Sequence, residues 1–394
     1  MTKKTPLWLL KLVTISLGFS GGFLMIELMA RLLPASDYFP TVLPLECKNL
    51  NNPDLRCIFR RNPYIVGNFT KGKFPPFPIN AVKSTNNIGQ FSNIDLRKYE
   101  NSKTIISIGD SYVEAAQVSN KNSFHGKLNE YETAFNDPVK STAIAYSGIS
   151  FPQYIINLSY VQKTLNSNEL IVIFSICAND FDESFPEYMK LSKGGYFSSD
   201  ILNSEQLIKF NSFNGSFKYK LLSLIRENSA ISNYLIHNLE LRQITYKFPF
   251  CKLLGVPCPN EIKYDNNIVD ESIEQNEKRY NYGKLATEIF LNNVLKLRNT
   301  KQMKINTIFL VHENRSTIYD ESKTKNSFFS YQRNYFISKA KESGFTVIDL
   351  DKAFRKDFLK NKKRFEFVND GHWNSHGHKI VATEISKTLN LKKK

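Results

Sequence analysis

The clearest pattern in the chain is a continuous apolar run over residues 169–176, whose length and branched side chains suit a strand buried on both faces of a parallel sheet. Shorter runs of the same character lie at 104–108, 141–146, 305–311 and 346–350. Between these runs the apolar positions take helical spacing. That spacing predicts helices over 123–132, 151–165, 280–297 and 332–343, with a last helix over 374–391. Pro152 suits a first helical turn, where its missing N–H has no intrahelical partner to lose. Strands alternating with helices in this order predict an α/β domain with a mainly parallel sheet.

Three stretches depart from that alternation. Residues 7–33 are largely apolar and interrupted by Lys11, Glu27 and Arg31. The uncharged core of the stretch, 12–26, is shorter than the roughly 20 residues a bilayer needs. Lys11 can snorkel at one end, however, and Glu27 and Arg31 sit one helical turn apart at the other. A cleaved signal peptide competes with an uncleaved signal anchor; no small-x-small cleavage site follows the run, which favours the anchor. Lys3 and Lys4 ahead of it predict a cytoplasmic N-terminus and an exported remainder, periplasmic or extracellular. Residues 34–101, rich in Pro, Asn and aromatics, predict a stalk and extended lead-in with little regular structure. Residues 181–276 break the pattern again and read as an insertion or lid, with helical spacing over 218–241. The expected organisation is therefore an anchor at 1–33, a lead-in at 34–101 and the main α/β domain at 102–394.

Composition changes this picture little. Of 394 residues, 41% are hydrophobic, enough for a sizeable core, and 53 Lys and Arg against 37 acidic residues give a net charge of +16. The basic residues are spread along the chain apart from 360–364 and 392–394, and no nucleic-acid motif gathers them, so no nucleic-acid partner is expected. Five cysteines fit an oxidising compartment. Cys47 with Cys57, and Cys251 with Cys258, flank short loops that local disulfides can close, while Cys177 ends an apolar run as a buried free thiol.

The candidate chemistry sits at strand ends. Ser111 follows Gly109 and Asp110 where the first sheet strand turns toward a helix, so it faces the crevice in which open α/β sheets bind ligands. Near the far end, Asp370 and His372 stand two apart on a loop before the last helix. A carboxylate there can accept the imidazole Nδ1–H and leave Nε2 to take a proton from a serine. Gly148 can offer an unobstructed backbone N–H to an oxyanion, and Asn179 a side-chain amide. A rival reading makes His372, His376 and His378 a metal site, since His372 and His376 have the spacing of zinc-binding helices. It lacks an acidic partner at matching spacing, and neither metal nor cofactor is expected.

These residues form four blocks: Gly109-Asp110-Ser111-Tyr112, Ser147-Gly148, Cys177-Ala178-Asn179-Asp180 and Asp370-Gly371-His372. In that order they resemble the SGNH/GDSL hydrolase family, in its membrane-anchored bacterial form, from about residue 87 to the end. The resemblance implies a three-layer α/β/α flavodoxin-like sandwich with a five-stranded sheet. It also implies Ser111 as nucleophile, Asp370 and His372 as acid and base, and the Ser111 N–H, Gly148 and Asn179 as oxyanion donors. Tyr112 stands in place of the family's leucine, Cys177 in place of a glycine, and one residue rather than two separates Asp370 from His372. The expected activity is an exported serine esterase acting on acyl or acetyl esters of an envelope glycan or lipid. An O-acyltransferase on a surface polysaccharide, or a non-catalytic binding module, is the alternative.

Overall fold

The computed structural model describes residues 6–33, 36–42, 44, 53–72, 78–97, 99, 102–165, 169–188, 195–197, 208–210, 224–239, 277–299, 304–312, 318–319, 328–368 and 370–394. The chain divides into two compact units, one of Met1–Pro40, Gly67–Ala81 and Gly215–Lys263, the other of Thr41–Val66, Val82–Asn214 and Tyr264–Lys394.

The second unit is built on five parallel strands: β1 (Lys103–Gly109), β2 (Val139–Ala145), β3 (Glu169–Ile176), β4 (Lys304–Val311) and β5 (Thr346–Asp349). Their spatial order is β5-β4-β3-β1-β2. Read from the other edge this is 2-1-3-4-5, the flavodoxin-like order, whose strand reversal lies between β1 and β3. The expected fold class is therefore observed. Side chains of β3 show why the sheet is buried twice over. Leu170, Val172, Phe174 and Ile176 join one hydrophobic cluster, while Ile171 and Ile173 join another, as the two-residue strand period requires.

Helices α4 (Phe151–Leu165), α6 (Glu277–Arg298) and α7 (Phe328–Glu342) supply the first cluster, where Phe151 stacks on Phe290 with ring centroids 4.4 Å apart. Helices α3 (Phe124–Leu128), α8 (Leu350–Asn361) and α9 (Ser375–Thr388) supply the second. The short helix α2 (Ser111–Glu114) begins directly after β1.

Two expectations are corrected here. The helix predicted over 123–132 stops at Leu128, because Tyr131 and Glu132 pair antiparallel with Lys393 and Lys392. The lead-in is no bare stalk: Ile58, Phe59, Ile88 and Leu96 belong to the first core cluster. Polar side chains hold this irregular chain. Asn86 Oδ1 accepts from the N–H groups of Ile88 and Gln90, and the Gln90 amide reaches Phe59 O and Ala145 N.

In the first unit, α1 (Leu7–Leu32) is 26 residues long with a mean hydropathy of 1.8 in its most apolar window, long and apolar enough to cross a membrane. Its side chains are mostly exposed, but Glu27 is buried. The Glu27 carboxylate accepts from Arg31 Nε, the Ser229 hydroxyl and the N–H groups of Ala230 and Ile231, capping α5 (Ala230–Asn233). The predicted helical stretch over 218–241 thus survives in part, and most of the 181–276 insertion lies outside the described residues.

Candidate active site

Ser111 is placed by a glycine and a cap. A Cβ on Gly109 would lie 2.3 Å from Val113 Cγ2 and 3.3 Å from Ser175 Cβ, so only glycine lets α2 fold back against the end of β1. Asp110 is the N-cap of α2, accepting from Tyr112 N at 3.0 Å, and Ser111 opens the helix. The Ser111 hydroxyl is half-buried and lies 3.5 Å from Asp110 Oδ2.

The C-terminal loop is a tight turn between two anchors. Phe367 N donates to His372 O while Gly371 N donates to Phe367 O, and Gly371 takes a left-handed φ of 81°. Beyond the turn, Trp373 is buried and Asn374 caps α9 through His376 N and Gly377 N. Within that frame His372 Nδ1 meets Asp370 Oδ1 at 2.5 Å, with the carboxylate 7% exposed and the imidazole 26% exposed. The carboxylate is thereby shielded on one side of the ring while the other side stays accessible. A proton on Nδ1 donated to that carboxylate would leave Nε2 able to accept one.

Tyr112 joins the two ends of the chain. Its ring lies 5.1 Å from the His372 ring and 4.9 Å from Trp373, and its hydroxyl reaches Gly371 O at 3.5 Å. His312, after β4, is buried and meets the same ring edge-on at 4.4 Å. The leucine-to-tyrosine departure therefore has a structural use that the sequence did not disclose. Among the described residues no hydrogen bond joins Ser111 to His372; such contacts commonly tighten only when substrate is bound.

The other two expected oxyanion donors also follow strands. Gly148 comes after β2 with a left-handed φ of 77°, a conformation costing a side-chain-bearing residue about 1–2 kcal/mol. Asn179 comes after β3, in a single turn of helix at Ala178–Asp180. Its Oδ1 accepts from the Cys177 thiol at 2.8 Å, and Glu183 accepts from its amide. The thiol on Oδ1 is consistent with Nδ2 turned away from it. Cys177, standing where the resembled family has glycine, is a free buried thiol that also reaches Asp110 Oδ2 at 3.2 Å. Burial and the neighbouring Asp110 and Asp180 charges hold its pKa far above the usual thiol range, so it stays protonated and donates.

Buried acids surround this floor. Burial raises the Asp110 pKa, against the opposing pull of Tyr112 N–H, the Cys177 thiol and the His372 charge. Burial and Asp110 raise Asp180 as well, whose carboxylate takes Cys177 N at 2.8 Å and the Tyr154 hydroxyl at 2.8 Å. Burial, with the Asp182 charge, lifts Glu183 to about 8.

The other histidines are committed elsewhere. His376 Nε2 pairs with Asp357 Oδ2 at 2.6 Å, and His378 Nδ1 accepts from Phe124 N at 3.2 Å. His372 precedes α9 rather than lying on it, so the helical spacing with His376 that suggested a metal does not arise. Cys57 is disulfide-bonded, while Cys47, Cys251 and Cys258 lie outside the described residues.

No family model and no curated protein matches the chain. Solved structures do. One is a member of the lipolytic G-D-S-L family from Veillonella parvula, at 10% identity over 73% of this chain and 99% of that one, with a TM-score of 0.36. An acetylxylan esterase from Geobacillus stearothermophilus matches at 9% identity over 75% and 98%, with a TM-score of 0.36. A lipase/acylhydrolase from Enterococcus faecalis matches at 11% identity over 74% and 98%, with a TM-score of 0.34.

Proposed function

We propose that the chain is a membrane-tethered serine esterase of the SGNH/GDSL type, with Ser111 as nucleophile, His372 as general base and acid, and Asp370 as its orienting carboxylate. The observation that carries this reading is the Asp370–His372 pair packed on Tyr112, the neighbour of Ser111 and 260 residues away from it in the chain. As Ser111 Oγ bonds to the ester carbonyl carbon, its proton passes to His372 Nε2. The oxyanion is met by the Ser111 and Gly148 N–H groups and by Asn179 Nδ2. Collapse expels the alcohol, which takes the proton from His372. A water then attacks the acyl-enzyme with His372 again as base, releasing the acid and restoring Ser111.

The tether is α1. The three hydrogen bonds that Glu27 accepts from Ser229, Ala230 and Ile231 tie that helix into its own compact unit, which supports a retained anchor over a cleaved signal peptide. An exported catalytic unit would meet acyl or acetyl esters on an envelope glycan or lipid, and that is the substrate class we assign. Labelling of the full chain by a fluorophosphonate probe tests the reading. Wild type labels and Ser111→Ala does not; a folded wild type that never labels refutes it. Turnover that appears only when a sugar hydroxyl acceptor is added would make the same site an acyltransferase.

A further inference from the structure

The mechanism above makes no use of Glu114, yet that residue is 3% exposed and fully engaged. It closes α2, three residues after Ser111. One carboxylate oxygen is paired with Arg61 Nη2. The other accepts from both the backbone N–H of Ser147, at 2.9 Å, and the Ser147 hydroxyl. Ser147 directly precedes Gly148. One side chain therefore runs from the helix that carries the candidate nucleophile to the turn that carries a candidate oxyanion donor.

The clamp is itself held. The Arg61 guanidinium lies 3.9 Å over the Phe91 ring and 5.3 Å from the Tyr146 ring, and Tyr146 in turn stacks on Phe59 at 4.9 Å. On the other side, the wholly buried Lys83 ammonium donates to Ala115 O and Val118 O, each at 3.0 Å, fixing the chain as it leaves α2. Burial alone would push Glu114 toward its neutral form. The Arg61 charge, the Ser147 bonds and the Lys83 charge outweigh it and keep the carboxylate ionised.

We propose that Glu114, clamped by Arg61, is a positioning residue that sets the distance between Ser111 and the Ser147–Gly148 turn, so that nucleophile and oxyanion donor converge on one tetrahedral centre. This rests on the serine-esterase reading. Oxyanion donors act only within about 2.7–3.1 Å of the charge that forms, and a misplacement of about 1 Å can cost about 10²-fold. Neither α2, a single turn long, nor the glycine turn has the length to hold such a spacing unaided. Ser147 commits both of its donors to Glu114.

The experiment compares Glu114→Gln and Ser147→Ala with wild type, as full chains in detergent, using a 4-nitrophenyl ester as substrate and phenylboronic acid as a tetrahedral analogue. Glu114→Gln keeps the size and one acceptor oxygen but loses the charge that Arg61 grips. Its kcat should fall by about 10²-fold with KM within a factor of two, and the boronate Ki should rise in step. Ser147→Ala keeps the backbone bond and the ion pair, so the Ki should rise only about 3- to 10-fold, the effect of one lost hydrogen bond. A merely structural Glu114 would lower the active fraction, and with it kcat, while leaving the boronate Ki unchanged. A boronate Ki within a factor of two of wild type in both variants overturns the proposal. Should Glu114→Gln not fold, the Ser147→Ala value decides alone. A wild type without esterase activity or fluorophosphonate labelling refutes the serine-esterase reading instead, so the two failures are distinct.

Discussion

Glu183 offers the sharpest electrostatic test, because it lies beside Asn179 and its proton is held by the fold. Burial and the Asp182 charge lift its pKa from 4.5 to about 8, against the pull of Arg279, which pairs with Asp182 at 2.5 Å. The folded value stands above the unfolded one. Between the two, the folded state keeps a proton that the unfolded chain has released, so this group's contribution is fully present below pH 4.5 and is lost as pH rises through about 8. A shift from 4.5 to about 8 corresponds to roughly 5 kcal/mol as an upper bound, at about 1.4 kcal/mol per pH unit. Glu183→Gln mimics the protonated form and does not titrate. Urea unfolding, followed through the buried Trp373, should therefore show variant and wild type alike near pH 4.5. The variant should then be more stable by several kcal/mol at pH 9. Taking the difference between the two proteins removes the opposing slopes of Lys83, whose pKa burial lowers to about 7, and His125, which burial lowers to about 3. The same proton matters for chemistry. A carboxylate formed at Glu183 would place negative charge beside the amide proposed to meet the oxyanion, so wild-type kcat should fall above pH 8 and the variant's should not. A stability difference that stays flat across this range, or that grows as pH falls, refutes the argument.

Three further outcomes are expected. Asp370→Asn should keep the fold but lower kcat by about 10⁴-fold, since an amide favours the wrong imidazole tautomer; steady-state kinetics on a soluble ester would show it, and a loss under tenfold would remove Asp370 from its role. Asn179→Ala should cost about 10²–10³ in kcat with little change in KM, and an unchanged kcat would leave the oxyanion to other donors. Phe290→Ala, at a ring wholly buried against Phe151, Phe174 and Phe309, should destabilise the protein by about 3–5 kcal/mol in chemical unfolding, while a cost under 1 kcal/mol would show that the site collapses.

What the sequence discloses and what it hides follow from the range of the interactions. The 169–176 strand is legible to the residue because both of its faces are buried, which forces an unbroken apolar run. Three of the four candidate blocks are legible because each sits where a strand ends, and the fourth, Asp370-Gly371-His372, because it lies just ahead of the last helix. Helix α8 was not foreseen, since its buried residues reduce to Leu350 and Phe354 in a stretch dominated by Lys, Asp and Arg. The lead-in misled for a related reason: its chain is irregular, and its order comes from Asn86 and Gln90 side chains satisfying backbone groups, which leaves no periodic trace.

The same reasoning separates the chemistry of the site from its tuning. A serine, a histidine and a carboxylate announce themselves by type and spacing, because the proposed reaction dictates those types. The residues that set distance and charge around them answer to three-dimensional neighbours instead. Arg61 stands 53 residues before Glu114, and Glu114 stands 33 before Ser147, with no shared periodicity. Cys177 reads in the sequence as an inert core thiol, yet its one proton has two acceptors within 3.2 Å, Asn179 Oδ1 and Asp110 Oδ2. A thiol hydrogen can serve only one of them at a time. The shorter contact favours Asn179, which ties the orientation of the proposed oxyanion donor to a residue the resembled family fills with glycine. Cys177→Gly should then leave Asn179 without its Oδ1 anchor and lower kcat toward the Asn179→Ala value. A Cys177→Gly enzyme with wild-type kcat would show that Glu183 orients the amide alone.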